Sequence, residues 1–433
     1  MSEITFVTID PGHFHAGLLH KDMYPGVSAR AHVYAPLGAD LLDHLNRILR
    51  FNARAENPTA WQIEAHASPD FFERLLKERP GNVAIFSGRN RGKIDRIKAC
   101  LDAGIAVLAD KPWIIRAEDL PTLEAALETS ERNGIPAYDI MTERYEITSM
   151  VQRALVNTPS IFGEAVPGTE AEPGVYMESV HHLFKFVAGA PLLRPAWFFD
   201  VAQQGEALAD VGTHLVDGVQ WTLFPDQAVD YRRDLRIVSA CRWPEVIDQQ
   251  QFQRMTNEPR FPDYLAPYLR NGRLEYFCNT RVNYTIRGIY TALDVLWRYQ
   301  APEGTGDTLY AVFRGTKARI EVRQRKEENF RPEVYVVPSG AQKPALEKRV
   351  AELQSTWPGI AVEDLGKEWR VAIPDRYRVG HEAHFGQVAS QYLRFVRGEE
   401  RMPAWENPNM MAKYWVSTKG VEASRQQASS TVK

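Results

Sequence analysis

The run Ile4-Thr5-Phe6-Val7-Thr8-Ile9, followed by Asp10-Pro11-Gly12-His13-Phe14-His15-Ala16, decides the fold class. The apolar run reads as a buried strand, and Asp10-Pro11-Gly12 reads as the turn that ends it. A helix through Ala16, Leu18 and Leu19 is expected next. The alternation then repeats, with strands expected at Ala29–Ala35, Trp61–Ala65, Val83–Phe86, Ile105–Ala109 and Ala137–Met141. Between them, Leu41, Leu42, Leu45, Ile48 and Leu49 take helical spacing. Ser68-Pro69 opens a helix, and Gly104 and Gly134 close the helices Lys93–Ala103 and Glu118–Asn133. Strands alternating with helices predict an α/β, Rossmann-type, doubly wound parallel sheet over residues 1–147.

Outward from this pattern, the 433-residue chain has room for two or three domains. Its 44% apolar and 25% charged residues are those of a globular protein. Lys+Arg 52 against Asp+Glu 55 leaves a net charge of −3. That balance argues against a surface built to grip nucleic acid or an anionic membrane. No run approaches the ~18 apolar residues of a membrane span. No signal segment is visible, and Cys100, Cys241 and Cys278 make neither a disulfide framework nor a zinc pair. A cytoplasmic protein is the expectation.

Beyond about Thr148 the pattern turns to strands. Ala311–Arg314 and Ala318–Val322 flank Gly315-Thr316 as a hairpin. Arg194–Val201 is expected as a strand, Ala209–Phe224 as a helix, and His381–Val396 as a helix with Phe385, Val388, Tyr392 and Phe395 on one face. Residues 148–433 read as one α+β domain with a large, open, mostly antiparallel sheet and excursions near 240–285 and 324–376.

A doubly wound sheet holds its ligand beyond the carboxyl ends of its strands. In the first loop, Gly12 takes the place of the middle glycine of a dinucleotide-binding loop, where backbone nears a pyrophosphate. Asp10 and His15 stand where the first and third glycines belong. The acid that would meet a ribose after the second strand is replaced by Tyr34-Ala35-Pro36. His13 and His15 either meet pyrophosphate or substrate, or cap the helix and face water. After the fifth strand, Asp110-Lys111-Pro112 places a lysine where it can hydrogen-bond a substrate oxygen. Asp210, His214 and Asp217 fall at i, i+4 and i+7 of an expected helix, either a proton-transfer arrangement or a plain surface pair. His13-x-His15 and His381-x-x-His384 have ligand spacing but no third ligand nearby in sequence, so no metal is expected.

Several segments together are similar to one family. Gly104-Ile105-Ala106-Val107-Leu108-Ala109-Asp110-Lys111-Pro112 resembles a G-x-x-V-x-x-E-K-P segment, with Asp110 for Glu. Arg144-Tyr145 resembles an Arg-aromatic pair, and Asp210-Val211-Gly212-Thr213-His214 a D-x-G-x-H helix start. Gly315-Thr316-Lys317-Ala318-Arg319-Ile320-Glu321-Val322 is similar to a late hairpin. In this order, over nearly the whole chain, they resemble the glucose–fructose oxidoreductase/inositol dehydrogenase family, often called Gfo/Idh/MocA. Val180-His181-His182-Leu183-Phe184-Lys185 and the long C-terminal part resemble a long subgroup of it, described only as oxidoreductases.

The resemblance implies an NAD(P)-dependent oxidoreductase that moves a hydride from a secondary hydroxyl of a sugar, polyol or glycoside. His214 would be the general base, Lys111 the partner of the reacting oxygen, and Asp210 the group that orients substrate or base. Cofactor contacts would come from Asp10, Gly12, His13, Phe14 and His15, from Ser87, Arg89 and Asn90, and from Asp110, Lys111 and Pro112. NAD is slightly favoured over NADP. Substrate contacts would come from Lys111, Arg144, His181, His182, Lys185, Asp210 and His214. The same residues would serve a redox-neutral glycoside-cleaving enzyme, and a non-enzymatic sensor is the third alternative. The open sheet implies a homo-oligomer, dimer or tetramer.

Overall fold

Six parallel strands hydrogen-bond side by side in the computed structural model, which describes residues 3–187 and 190–430. They are β1 (Phe6–Ile9), β2 (Arg30–Ala35), β3 (Gln62–Ala67), β4 (Val83–Phe86), β5 (Ala106–Asp110) and β6 (Ala137–Ile140). The order is β3-β2-β1-β4-β5-β6, every pair parallel. The intervening helices are α1 (His15–Leu18), α2 (Ala39–Ala53), α3 (Phe71–Glu78), α4 (Lys93–Asp102) and α5 (Leu120–Asn133). β1, β4, β5 and β6 are buried along their whole length, as strands covered on both faces must be. The direction of winding reverses between β1 and β4, so the loops that follow them lie side by side at the switch point. They pass closely: a Cβ on Gly88 would stand 2.2 Å from the Asp10 carbonyl oxygen.

A second sheet follows. Its strands are β7 (Val175–Phe184), β10 (Leu235–Ile247), β11 (Leu269–Arg270), β12 (Arg273–Ile286), β13 (Ile289–Gln300), β14 (Thr308–Arg314), β15 (Ala318–Gln324), β16 (Glu333–Pro338), β17 (Ala361–Asp364) and β18 (Trp369–Ala372). A separate two-stranded pair, β8 (Phe186–Val187) and β9 (Ala190–Pro191), precedes β10. The main order is β10-β12-β13-β7-β14-β15-β16-β18-β17, with β11 beside β12. Only β13 and β7 run parallel, so the mostly antiparallel expectation holds. The hairpin at Gly315-Thr316 is present, with Arg314 facing Arg319. The helices of this part are α6 (Ile147–Val156), α8 (Gly212–Leu223), α9 (Gln249–Thr256) and α10 (Lys343–Leu353), whereas most of the short α7 (Val201–Gln204) belongs with the first sheet. One continuous hydrophobic cluster, from Ile147 and Val151 of α6 through Leu293 and Ile320 to Val416, fills the unit.

Three expectations are corrected. Residues 240–285 and 324–376 are not excursions: they supply β10 to β12 at one end of the sheet and β16 to β18 at the other. Arg194–Val201 is not a strand, because Ala196–Phe199 winds into a 3-10 turn. Trp197, Phe198 and Phe199 are all buried there. The helix expected from Ala209 begins at Gly212, leaving Asp210 in the turn before it.

The chain splits into two compact units, and the first is built from three separate stretches: Met1–Thr142, Ala202–Gly205 and His381–Asn407. Within it, α11 (His381–Val396) buries its Phe385, Val388, Tyr392 and Phe395 stripe. Phe395 meets Tyr138 of β6 edge-on at 5.5 Å. Burial of each such side chain contributes about 1.5–3 kcal/mol. The second unit is Glu143–Val201, Glu206–Gly380 and Pro408–Lys433, and most of α12 (Glu406–Ser430) belongs to it. Among the described residues no helix is long and apolar enough to cross a membrane.

Gly88→Ala tests the closeness of the two loops. The added methyl overlaps Asp10 backbone, so stability should fall by about 1–3 kcal/mol in chemical denaturation. Unchanged stability would mean that the loops do not pass at this distance.

Candidate functional site

In the first unit the carboxylate of Asp110, at the end of β5, gathers the switch point. Its Oδ2 accepts from Ser87 Oγ at 2.9 Å and from His15 Nδ1 at 2.8 Å. His13 Nδ1 lies 3.5 Å from the same oxygen. Burial alone would push Asp110 up, but the His15 and His13 imidazoles outweigh it and hold the carboxyl well below its ordinary value. His15 is lowered as well, first by burial and then by the charge of His13. At neutral pH the pair is therefore an ionised Asp110 accepting the Nδ1–H of a neutral His15. Phe385 and His381 of α11 stand against the His15 ring at centroid distances of 4.5 and 5.4 Å. Phe14 packs on the His13 and His15 rings, with the Arg47 guanidinium on its face.

The loop backbone is committed as well. Gly12 and His13 both donate their N–H to the Ser87 carbonyl, at 3.1 and 3.2 Å. Asp10 takes a positive φ of 45°, and its side chain accepts from Arg96 at 2.7 Å. After β4, Asn90 donates to the Gln204 carbonyl at 2.8 Å. Arg89 pairs with Gln203 and, at 2.8 Å, with Asp40 of α2.

Lys93 is a buried residue of this edge that pattern reading missed. It is 3% exposed, yet its ammonium donates to the carbonyls of Asp110 and Pro112 at 2.9 and 2.8 Å. It thus fixes the backbone on both sides of Lys111, across a cis Lys111–Pro112 peptide. An amphipathic helix start offers no hint of this, because a lysine there reads as a surface residue.

In the second unit, α8 carries His214 and Asp217. Asp217 bears electrostatically on His214. It takes a bidentate ion pair from Arg144, both bonds 2.7 Å, and the Lys413 ammonium of α12 lies 3.5 Å away. Burial would raise this carboxyl, but Arg144 and Lys413 hold it down at about 2. Arg144, expected at the substrate, is engaged by this buried pair. Asp210 accepts from Thr213 Oγ at its backbone carbonyl, at 2.6 Å, and its carboxylate bears electrostatically on buried Arg194.

His181, His182 and Lys185 are brought together by a residue the sequence reading passed over, Asp307. His182 Nδ1 lies 2.9 Å and Lys185 Nζ 2.9 Å from its carboxylate, with His181 Nδ1 at 3.5 Å. Burial opposes ionisation of Asp307, but the His181 and Lys185 partners outweigh it and hold it well below the carboxylate range. His181 stacks on Trp297 at 4.9 Å, and Ser179 lies 2.6 Å from its other nitrogen. Arg194 lies over the Phe198 and Trp297 rings and feels both Asp307 and Asp210. Only the adjacent His181-His182 pair hinted at this group. Asp307 lies 125 residues from His182 and no spacing rule connects them.

Comparison with known proteins adds the following. The family described as "putative oxidoreductase C terminal domain" matches residues 151–425. A putative oxidoreductase from Parabacteroides merdae is 44% identical, with 98% of each chain covered and a TM-score of 0.95. The 3-ketoreductase KijD10 from Actinomadura kijaniata, solved with NADP and TDP-benzene, is 13% identical, with 98% of each chain covered and a TM-score of 0.57. An oxidoreductase from Agrobacterium radiobacter, solved with NAD+, L-tartaric acid and magnesium, is 11% identical over 98% of this chain and 97% of that one, with a TM-score of 0.58. The last two show likeness of fold alone. No curated protein matches the chain.

Asp217→Asn leaves Arg144 and Lys413 buried without a counter-charge. Urea denaturation near neutral pH should show a loss of about 3–5 kcal/mol. The wild-type advantage should be full above about pH 4 and fade as the pH falls toward about 2, where Asp217 itself is protonated. A constant difference over that range would remove the ion pair as its cause.

Proposed function

The chain belongs to the oxidoreductase family whose C-terminal domain it carries, and from this we propose that it moves a hydride between a secondary hydroxyl of a sugar, polyol or glycoside and a nicotinamide dinucleotide. The observation that carries the reading is Lys111, held just past β5 by Lys93 on its two flanking carbonyls. A cation fixed beyond the carboxyl edge of a doubly wound sheet is placed for a reacting oxygen.

The residues present fit a dinucleotide in an altered form. Gly88 lets the Asp10 and Gly12 backbone approach at the switch point. The Gly12 and His13 N–H groups are already given to Ser87, so the phosphate contacts of this chain rest on other groups of the loop. Asp40, in the first turn of α2 after β2, is an acid of the kind that favours NAD, and its ion pair with Arg89 offsets that preference. The structures solved with NADP or NAD+ among the distant neighbours support a nicotinamide cofactor.

When bound, the nicotinamide supplies the hydride acceptor. In this proposal His214 takes the hydroxyl proton and Lys111 hydrogen-bonds the oxygen as negative charge grows on it. Asp210 orients the substrate. His181, His182 and Lys185, set by Asp307, recognise further hydroxyls of a carbohydrate. The breadth of the ten-stranded sheet is the support for assembly of the chain into a homo-oligomer.

The test is a nicotinamide-absorbance screen against monosaccharides, disaccharides and glycosides with both cofactors. His214→Ala should lower kcat about 10²–10⁴-fold, and Lys111→Ala about 10²–10³-fold. Wild-type rates in both variants would overturn the assignment. Glycoside cleavage without accumulation of reduced cofactor would replace net oxidation by a redox-neutral reaction.

A further inference from the structure

We propose a divalent transition-metal site on the outer strands of the first sheet, formed by His32, Glu64 and His66 and suited to Zn2+. The register of β2 and β3 sets His32 opposite Glu64 and Tyr34 opposite His66. Strand alternation then puts all four side chains on one face of the sheet. His32 Nδ1 lies 3.3 Å from His66 Nε2 and 3.5 Å from Glu64 Oε2. All three ligand atoms lie within 4.8 Å of one another.

These separations are those of a coordination shell. Ligand atoms about 2.0–2.2 Å from a tetrahedral zinc stand about 3.3–3.6 Å apart. A metal bound here would take the two facing imidazole nitrogens in place of the His32–His66 hydrogen bond. The side chains are held from behind. Arg30 engages Glu64 Oε1, which leaves Oε2 toward His32. Tyr34 stacks on His66 at 4.2 Å and 12°, and its hydroxyl is bonded to Glu78. His32 is buried and Glu64 is 39% exposed, so the group is closed on one side and open to solvent on the other.

Two nitrogens and one carboxylate oxygen select zinc, cobalt or nickel over magnesium and calcium, which take oxygen ligands. Three protein ligands leave a fourth position for water or a further ligand. The site lies three strands from β5 and does not rest on the dehydrogenase reading. A bound ion would cross-link β3, the edge strand, to β2.

The test uses the full chain, stripped by chelator and titrated with Zn2+ by calorimetry and with Co2+ by visible absorbance. His13, His15 and Asp110 are a second group of possible ligands, so His15→Gln serves as the control. One Zn2+ equivalent should survive in H15Q and weaken at least tenfold in H66Q and in E64Q, together with the tetrahedral Co2+ bands. Wild-type protein should gain thermal stability with Zn2+ and lose that gain in both variants. His66 and Glu64 are partly exposed, so the variants should fold as the wild type does, which circular dichroism checks. Zn2+ binding that is the same in the wild type and in the E64Q/H66Q double variant, whether present or absent, overturns the site.

Discussion

Asp110 is the constraint on which the first unit's working edge depends. One buried oxygen of this side chain accepts from the β4 loop through Ser87 and from the β1 loop through His15. A buried carboxylate is costly unless it is paired and hydrogen-bonded. Here the partners come from the two strands that flank the reversal of the sheet. The glycine-rich loop of a typical dinucleotide fold closes with small residues, whereas this loop closes with imidazoles on a carboxylate. The backbone of the next residue is then fixed by Lys93, so the position of Lys111 follows from a buried cation underneath it.

The second unit solves a similar problem with the opposite sign. Asp217 is enclosed by two cations, Arg144 and Lys413, and the group as a whole carries positive charge into the interior. Asp307 is likewise surrounded by Lys185 and two histidines. In each case a single carboxylate orders several nitrogen-bearing side chains. In both units the acids, rather than the histidines first noticed in the sequence, hold these side-chain groups together.

Much of the architecture was legible because period and punctuation are local. The six strands of the first sheet, the Gly315-Thr316 hairpin and the α11 stripe were all readable within windows of a few residues. The failures have a common cause in burial by distant chain. Residues 324–376 look polar in isolation, yet Val334, Val336 and Val371 are fully buried inside the sheet. Trp197-Phe198-Phe199 has the composition of a strand but folds as a 3-10 turn with all three rings buried. The site was legible in residue type and not in pairing. Asp110 and His15 are 95 residues apart, and Lys93 resembles any surface lysine until the carbonyls it caps are seen.

The division of the first unit into three stretches bears on the order of synthesis. Its sheet is complete once Ile140 has been made, but the helix that covers Tyr138 begins only at His381. At ~5–20 residues per second the nascent sheet spends on the order of tens of seconds with that flank unroofed. During that time the whole second unit up to Gly380 is emerging from the ribosome. The late-arriving helix is therefore a closing clasp, and a chain stopped anywhere before it would carry a finished sheet with an apolar side still open to water.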